Sequence, residues 1–290
     1  MRNLFYTSIL TILASVTGCT EVITVEKEFE PVDNTGYTLI EADLETLLID
    51  NEDRLWPEDA YIGVYGSEQG ENERYTIKDA GVGLKSATFY GPFVKGNIAA
   101  YYPYDPTYIG NADGMPVVLE SEQEFFEDNS MLTQFLIYTP RAYGYMQNGK
   151  IGFVYPNGVL HITIETIETL NINSITISSA SSRIAGLGIV RDGGVTELTD
   201  TATDTVTLSC GEGVLSRNGD GFTDFYMVLV PGTYEDLEIS LGIVGEKSFV
   251  RSLPPMEIKR VSADEFVVAS VAIKPTGGPA DFTDTPVEFE

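Results

Sequence analysis

The feature that most constrains the fold of this chain is a long series of short apolar or alternating segments, which runs from residue 61 almost to the C-terminus. His161–Glu165 and Asn171–Ile177 alternate between polar and apolar side chains, as strands with one face in water do. Turn residues separate the segments, among them Asn148-Gly149, a pair that tolerates the positive φ of a type I′ hairpin turn. Because no long helical pattern interrupts the series, the sequence predicts an all-β protein.

The predicted strands form two series that divide near residue 150. The first comprises 61–65, 75–77, 86–90, 97–103, 116–120 and 133–138, with one helical turn expected where Ser121 and Glu124 have capping-box spacing. The second comprises 151–155, 158–166, 172–179, 184–190, 204–209, 225–230, 237–243, 247–252 and 265–273. We therefore predict two tandem β-sandwich domains of the transthyretin-like or Greek-key type, at residues 39–150 and 151–290, the second ending in an acidic tail.

Residues 39–50 fit two patterns. Ile40, Leu44, Leu47 and Leu48 would share one face of a helix, whereas the first half of the segment also alternates as a strand would. We favour a strand, because the neighbouring segments are strands.

The N-terminus has the pattern of a bacterial lipoprotein leader. Arg2 precedes an apolar run, and the run ends in Val16-Thr17-Gly18-Cys19, an apolar residue and two small residues before a cysteine. We predict a signal peptide at residues 1–18, lipidation of Cys19 and an acidic, flexible tether at residues 19–38. The apolar run is too short for a stable membrane-spanning helix.

Composition excludes several classes of partner. The formal net charge of −27 would repel nucleic acid and anionic lipid, so neither is an expected ligand. Once Cys19 carries lipid, Cys210 has no second cysteine with which to form an intramolecular disulfide.

No constellation predicts catalysis, a metal or a cofactor. The single histidine, His161, sits in an alternating segment and cannot by itself supply a triad or a histidine-rich metal site. Residues 216–224 resemble a calcium loop, but Ser216 replaces the first acidic ligand and Met227 stands where the bidentate Glu belongs, so a hairpin turn is favoured. Gly81–Ser86 lacks the spacing of a phosphate loop. We expect no enzyme, and a hydrolase built on a carboxylate pair ranks last.

Several segments together resemble one family, the fimbrillin-like (Mfa-like, type V pilin) lipoproteins. The resemblance is carried by Trp56, Asp59-Ala60, Tyr61-Ile62-Gly63-Val64-Tyr65, Ala87-Thr88-Phe89-Tyr90, Ala99-Ala100-Tyr101-Tyr102-Pro103-Tyr104 and the segment Phe153 to Ile164. It covers most of residues 40–180. The order of the segments, after a lipoprotein leader, is similar to that of the family.

The resemblance implies a maturation and assembly route. Such proteins are trimmed by an arginine-directed protease, and loss of the first strand opens a groove that a strand from another subunit fills. Arg54 is the candidate cleavage site, unless it only balances the charges of Glu52 and Asp53, and Lys27 is a weaker candidate. The candidate donor is the C-terminal tail with Phe282, Val287 and Phe289, although Pro286 makes it a poor long strand.

The predicted function is thus that of a fimbrial subunit, or of a tip or anchor adhesin, displayed on the outer membrane at the cell surface. Expected partners are other pilin subunits, the outer membrane through the lipid anchor, and a host or bacterial surface glycan or protein. The alternative is a glycan-binding lipoprotein of a sugar-uptake system, with Tyr101, Tyr102, Tyr104 and Tyr108 as its platform. Against that alternative, we expect these rings to pack against the sandwich.

Overall fold

A computed structural model of the protein describes residues 37–45, 55–126, 131–139, 141–164, 169–191, 196–215, 223–245, 248–262 and 269–273. All of these residues belong to one compact unit.

Most of the described residues lie in strands. Up to residue 153 they are β1 (Tyr37–Leu44), β2 (Tyr61–Gly66), β3 (Gln69–Ile77), β4 (Ser86–Pro92), β5 (Ile98–Tyr102), β6 (Met115–Leu119), β7 (Glu122–Glu124), β8 (Ala142–Gln147) and β9 (Lys150–Phe153). A 3₁₀ turn (Asp79–Gly81) and helix α1 (Met131–Tyr138) lie among them.

The later strands are β10 (Gly158–Ile164), β11 (Asn171–Ser179), β12 (Gly186–Val190), β13 (Thr196–Leu198), β14 (Thr205–Leu215), β15 (Thr223–Leu229), β16 (Gly232–Tyr234), β17 (Leu237–Ile243), β18 (Phe249–Ser252), β19 (Met256–Ile258) and β20 (Ala269–Ile273). The predicted all-β class is confirmed.

The earlier strands close into a barrel in the order β1-β4-β3-β2-β5-β8-β9. All neighbouring pairs are antiparallel except β1 and β9, which run parallel and complete the ring. The β8–β9 hairpin turns at Asn148 and Gly149 with φ of 52° and 84°, as the sequence predicts. Because the barrel is closed, each of these seven strands pairs with a neighbour on both sides over at least part of its length.

The later strands form smaller sheets, in the orders β15-β10-β20, β18-β17-β11-β14-β7, β13-β12-β6 and β16-β19. Two strands from before residue 150 belong to them, since β6 pairs with β12 and β7 with β14. Buried side chains fall into two clusters, one centred on the barrel and one on the later sheets. The division into tandem sandwiches near residue 150 stays a prediction.

Two short segments differ from their predicted structure. Residues 133–138, expected as a strand, lie in α1, because the buried Gln134, Phe135 and Tyr138 follow helical spacing rather than alternation. The helical turn expected near Ser121 is instead β7. There the amide of Gln123 is buried and bonds both backbone groups of Val228, with 2.7 Å from Nε2 to the carbonyl and 3.0 Å from the peptide nitrogen to Oε1.

Candidate strand-exchange site around β1

The first strand of the described chain is held on both sides. β1 pairs with β4 from Tyr37 opposite Pro92 to Asp43 opposite Ser86, and with β9 from Glu41 opposite Lys150 onward. Beyond the ladder proper, the peptide nitrogen of Glu45 donates to the carbonyl of Phe153 at 3.0 Å. The strand predicted within residues 39–50 is therefore confirmed as far as Leu44, and residues 46–50 lie outside the described ranges.

The inward face of β1 fills part of the barrel core. Ile40, Ala42 and Leu44 are buried, with exposed fractions of 0%, 0% and 4%. They alternate with outward residues, which is the period-two pattern of a strand with one buried face. Removing these side chains would expose apolar core on both flanking strands.

Trp56 lies in the same core and is only 1% exposed. Its ring makes edge contacts with Phe89 of β4 at 4.9 Å, with Tyr102 at 5.0 Å and with Phe153 of β9 at 5.6 Å between centroids. The two strands that flank β1 thus contribute two of the three rings around the tryptophan. Its fluorescence is expected to report any opening of the barrel at β1.

The C-terminal end of β1 carries two carboxylates that meet cations. Asp43 lies 2.6 Å from Nζ of Lys150 on β9 and also accepts from Oγ of Ser86 at 2.5 Å. Glu45 receives two bonds from Arg260, at 2.5 Å and 3.1 Å, a bidentate geometry that fits a guanidinium to a carboxylate. The Arg260 and Glu45 side chains are 26% and 13% exposed, so this pair is mostly withdrawn from water.

The residues predicted for maturation and exchange lie outside the described ranges. These are Cys19, Arg54, Phe282, Val287 and Phe289. The nearest described neighbour of Arg54 is Leu55, which is 44% exposed. The sequence analysis did not identify Lys150 and Arg260, because both pair with residues far away in the chain. Arg260, for example, is 215 residues from Glu45, and no local sequence pattern indicates such a pair.

Of the four tyrosines in the cluster, Tyr101 is buried, and Tyr102, Tyr104 and Tyr108 are half-buried. Tyr101 is fully buried, its ring lies 4.3 Å from that of Tyr108, and its hydroxyl donates to the carbonyl of Asp105 at 2.7 Å. Burial raises the pKa of Tyr143, which packs nearby, to about 12. Arg141 stacks over Tyr108 and pairs with Asp105 at 2.6 Å. The expectation that these rings pack inward is confirmed for Tyr101, so the four tyrosines do not form one exposed sugar platform.

The single histidine occupies a sheet position, as expected. His161 on β10 lies 2.8 Å from Oδ1 of Asp224 and stacks on Tyr226 of β15, with ring centroids 4.7 Å apart. The candidate calcium loop lies largely outside the described ranges, but Met227 is fully buried and its side chain packs in the core. Among the described residues, no group of three or more His, Cys, Asp or Glu side chains could hold a metal ion.

In the described part of the chain, no helix has both the length and the apolar character required to cross a membrane. Cys210 is a free, buried thiol whose pKa is raised by burial to about 12.

Comparison with known proteins gives a fold but no close relative. No family model matches the sequence, and no curated protein matches it either. A candidate cell adhesion protein from Bacteroides ovatus matches with a TM-score of 0.52 and 14% identity, over 87% of this chain and 96% of its own. At this identity the likeness shows a shared fold.

Two further structures match with lower scores. The tip fimbrial protein Mfa3 from Porphyromonas gingivalis, with a C-terminal truncation, has a TM-score of 0.40 and 10% identity over 84% of this chain and 97% of its own. A candidate adhesin from Bacteroides ovatus has a TM-score of 0.42 and 10% identity over 94% of this chain and 100% of its own.

Proposed function

We propose that the protein is a component of surface fimbriae, either a subunit or a tip or anchor adhesin, which assembles by exchanging β1 for a strand of another subunit. The sequence motifs that resemble fimbrillin-like lipoproteins support this function, and so does the fold shared with a candidate cell adhesion protein. The role is structural or adhesive rather than enzymatic. Export as a lipoprotein through Cys19, anchoring at the outer membrane and a two-sandwich architecture are parts of the same proposal.

The observation that carries the proposal is the position of β1. It is the first strand of the described chain, yet it occupies an interior place in the barrel wall between β4 and β9. If it leaves, β4 and β9 present unpaired backbone groups on either side of an apolar slot. An extended segment can satisfy both edges by ladder hydrogen bonds and can place alternate side chains where Ile40, Ala42 and Leu44 were, which is the physics of strand addition.

Maturation in this scheme requires a cut between β1 and the rest of the barrel. Arg54 lies in the connection between β1 and Trp56, so cleavage there would separate the strand covalently and leave Trp56 with the body. The incoming strand would be the C-terminal tail of another copy, with Phe282, Val287 and Phe289 as its apolar residues.

Limited trypsin digestion of the purified precursor tests this scheme. We expect the first cut after Arg54, read by N-terminal sequencing of the product at Leu55, followed by a ladder of oligomers on a denaturing gel. An Arg54→Gln variant should remain uncut there and form no ladder. A variant that lacks residues 280–290 should be cut but remain monomeric.

Two results would contradict parts of this scheme. A precursor cut after Arg54 that keeps its β1 fragment and stays monomeric at high concentration would rule out a subunit of the fimbrial shaft. A ladder that forms as well without residues 280–290 would rule out the tail as donor.

A further inference from the structure

Two cations form ion pairs with the acidic residues at the C-terminal end of β1. Lys150 contacts Asp43 at 2.6 Å and Arg260 contacts Glu45 at 2.5 Å and 3.1 Å. Two residues apart on an outward row, these carboxylates alternate with the buried Ala42 and Leu44. A strand that fills this slot therefore needs apolar side chains on its inward face and acidic side chains at the outward positions of Asp43 and Glu45.

Arg260 is fixed by contacts that do not involve β1. Its guanidinium donates to the carbonyls of Val261 at 3.1 Å and of Tyr155 at 3.4 Å, and its backbone bridges to Gly158. The peptide nitrogen of the neighbouring Val261, a side chain 3% exposed, donates to Asn157 at 3.0 Å. The cation thus stays at the slot when β1 leaves, and an incoming neutral residue would leave it mostly desolvated and without its carboxylate.

Residues 282–290 match β1 in a register without gaps. Aligned with residues 37–45, the sequence FTDTPVEFE places Phe282 on Tyr37, Thr283 on Thr38, Val287 on Ala42, Glu288 on Asp43, Phe289 on Leu44 and Glu290 on Glu45. Apolar residues fall on two of the three buried positions, Thr285 falls on the third, Ile40, and acids fall on both paired positions. Pro286 falls on Glu41, which pairs with Thr88 of β4 and is the first residue that pairs with β9, so the tail would lack one backbone donor at this position.

We propose that Arg260 is the specificity-determining residue of the slot and selects the tail of a second copy in this register by pairing with Glu290. Lys150, whose pair with Asp43 is exposed (42% and 41%), adds a weaker pair with Glu288. The inference rests on the proposed strand exchange and adds its register and its charge rule. A competing register that puts Ala280-Asp281-Phe282-Thr283 on Ala42–Glu45 fits the inner face but leaves Arg260 opposite a threonine. The arginine therefore decides between the two registers.

The test uses the full chain with a recognition sequence for a specific protease in place of Asn51–Arg54. After cleavage, labelled nonapeptides compete with the retained β1 fragment, and fluorescence anisotropy gives their affinities. The peptides are residues 37–45, residues 282–290 and the tail peptide with Glu290→Gln. We expect the Glu290→Gln change to weaken binding roughly tenfold, since a charge-assisted bidentate pair is lost.

A charge swap separates selection from simple loss of fit. On an Arg260→Glu chain, a tail peptide with Glu290→Lys should bind better than the unaltered tail, which reverses the preference of the wild type. The control is Arg191→Glu, which breaks the exposed pair with Glu197 at 2.8 Å between β12 and β13 and should leave the preference unchanged. If Arg260→Glu fails to fold, the three peptides on the wild-type chain still decide the question.

Each outcome has a distinct meaning. Equal binding of the Glu290→Gln and unaltered tail peptides would overturn the charge rule while strand exchange stands. Charge-selective binding of the 37–45 peptide without binding of the tail would overturn the tail register. Failure of every peptide, including the β1 sequence, would overturn both this inference and the proposed exchange.

Discussion

Truncation of Ile40 measures how much of the barrel depends on β1. The side chain is fully buried in the middle of the strand, opposite Phe89 on β4. Ile40→Ala removes three carbons from a closed wall that cannot collapse easily, because the strand is bonded on both sides. We expect a loss of about 3 kcal/mol in the free energy of unfolding, within the usual range for a buried Ile truncated to Ala.

The neighbouring Leu39 is the matched control. It lies on the same strand but points outward and is 46% exposed, opposite Tyr90. Leu39→Ala should cost about 0.5 kcal/mol or less, as surface substitutions do. The two variants change the same strand by the same kind of truncation and differ chiefly in the face that they alter.

The assay is equilibrium unfolding in urea followed by tryptophan fluorescence. Trp56 is the only tryptophan, is 1% exposed and packs against Phe89, Tyr102 and Phe153. Unfolding would expose its ring to water and should therefore shift its emission to the red. Circular dichroism provides a second probe, and the two curves should coincide if the described unit unfolds in one step. Similar midpoints for Ile40→Ala and Leu39→Ala would refute the placement of β1 in the barrel wall.

Three further predictions concern charge and protonation. A double-mutant cycle with Glu45→Gln and Arg260→Gln should give a coupling energy of about 1 kcal/mol, above the usual exposed pair because Glu45 is mostly covered; zero coupling would remove Arg260 as a partner of β1. Cys210, with its pKa raised to about 12, should react with a thiol reagent at pH 8 only after unfolding, and fast labelling of the native protein would contradict its burial. Tyr143, with its pKa raised to about 12, should keep its proton in the folded state at pH values where free tyrosines lose theirs. Its contribution to the free energy of unfolding should therefore be complete below about pH 10 and fall as the pH rises toward 12. Ultraviolet absorbance at 295 nm should show the delayed ionisation.

Strands with clear alternation were predictable because period two is a local property of the sequence. β10 and β11 lie where the alternating runs from His161 and Asn171 placed them, and the Asn148-Gly149 turn joins β8 to β9. α1 was not predictable in this way, since an eight-residue apolar run supports helix and strand equally well until packing decides. β7 depends on one buried amide, that of Gln123, which bonds a backbone 105 residues away.

In the candidate site too, local patterns could be predicted from the sequence, whereas contacts between distant residues could not. The inward residues of β1 could be read from their alternation. The core position of Trp56 could not be read in this way, because the segment around it is mostly charged. The pairing of Glu45 with Arg260 depends on a cation carried by a segment after β19, and nothing near either residue in sequence indicates the other. Long-range ion pairs follow from topology, which alternation alone does not determine.

The topology is compatible with the proposed exchange of β1, because the rest of the barrel does not depend on that strand. The other six strands form one continuous antiparallel series, β4-β3-β2-β5-β8-β9, in which no pair depends on β1. The strand enters at the seam and closes it with a parallel pair to β9, so its departure requires no threading and breaks only its own two ladders. While it is present, closure hides the edges of β4 and β9, which would otherwise pair with other chains. In the proposed scheme, the contacts that hold β1 in place would therefore also prevent early assembly. An Ile40→Ala variant, in which β1 is weakened, should then form oligomers faster after cleavage than a Leu39→Ala variant does.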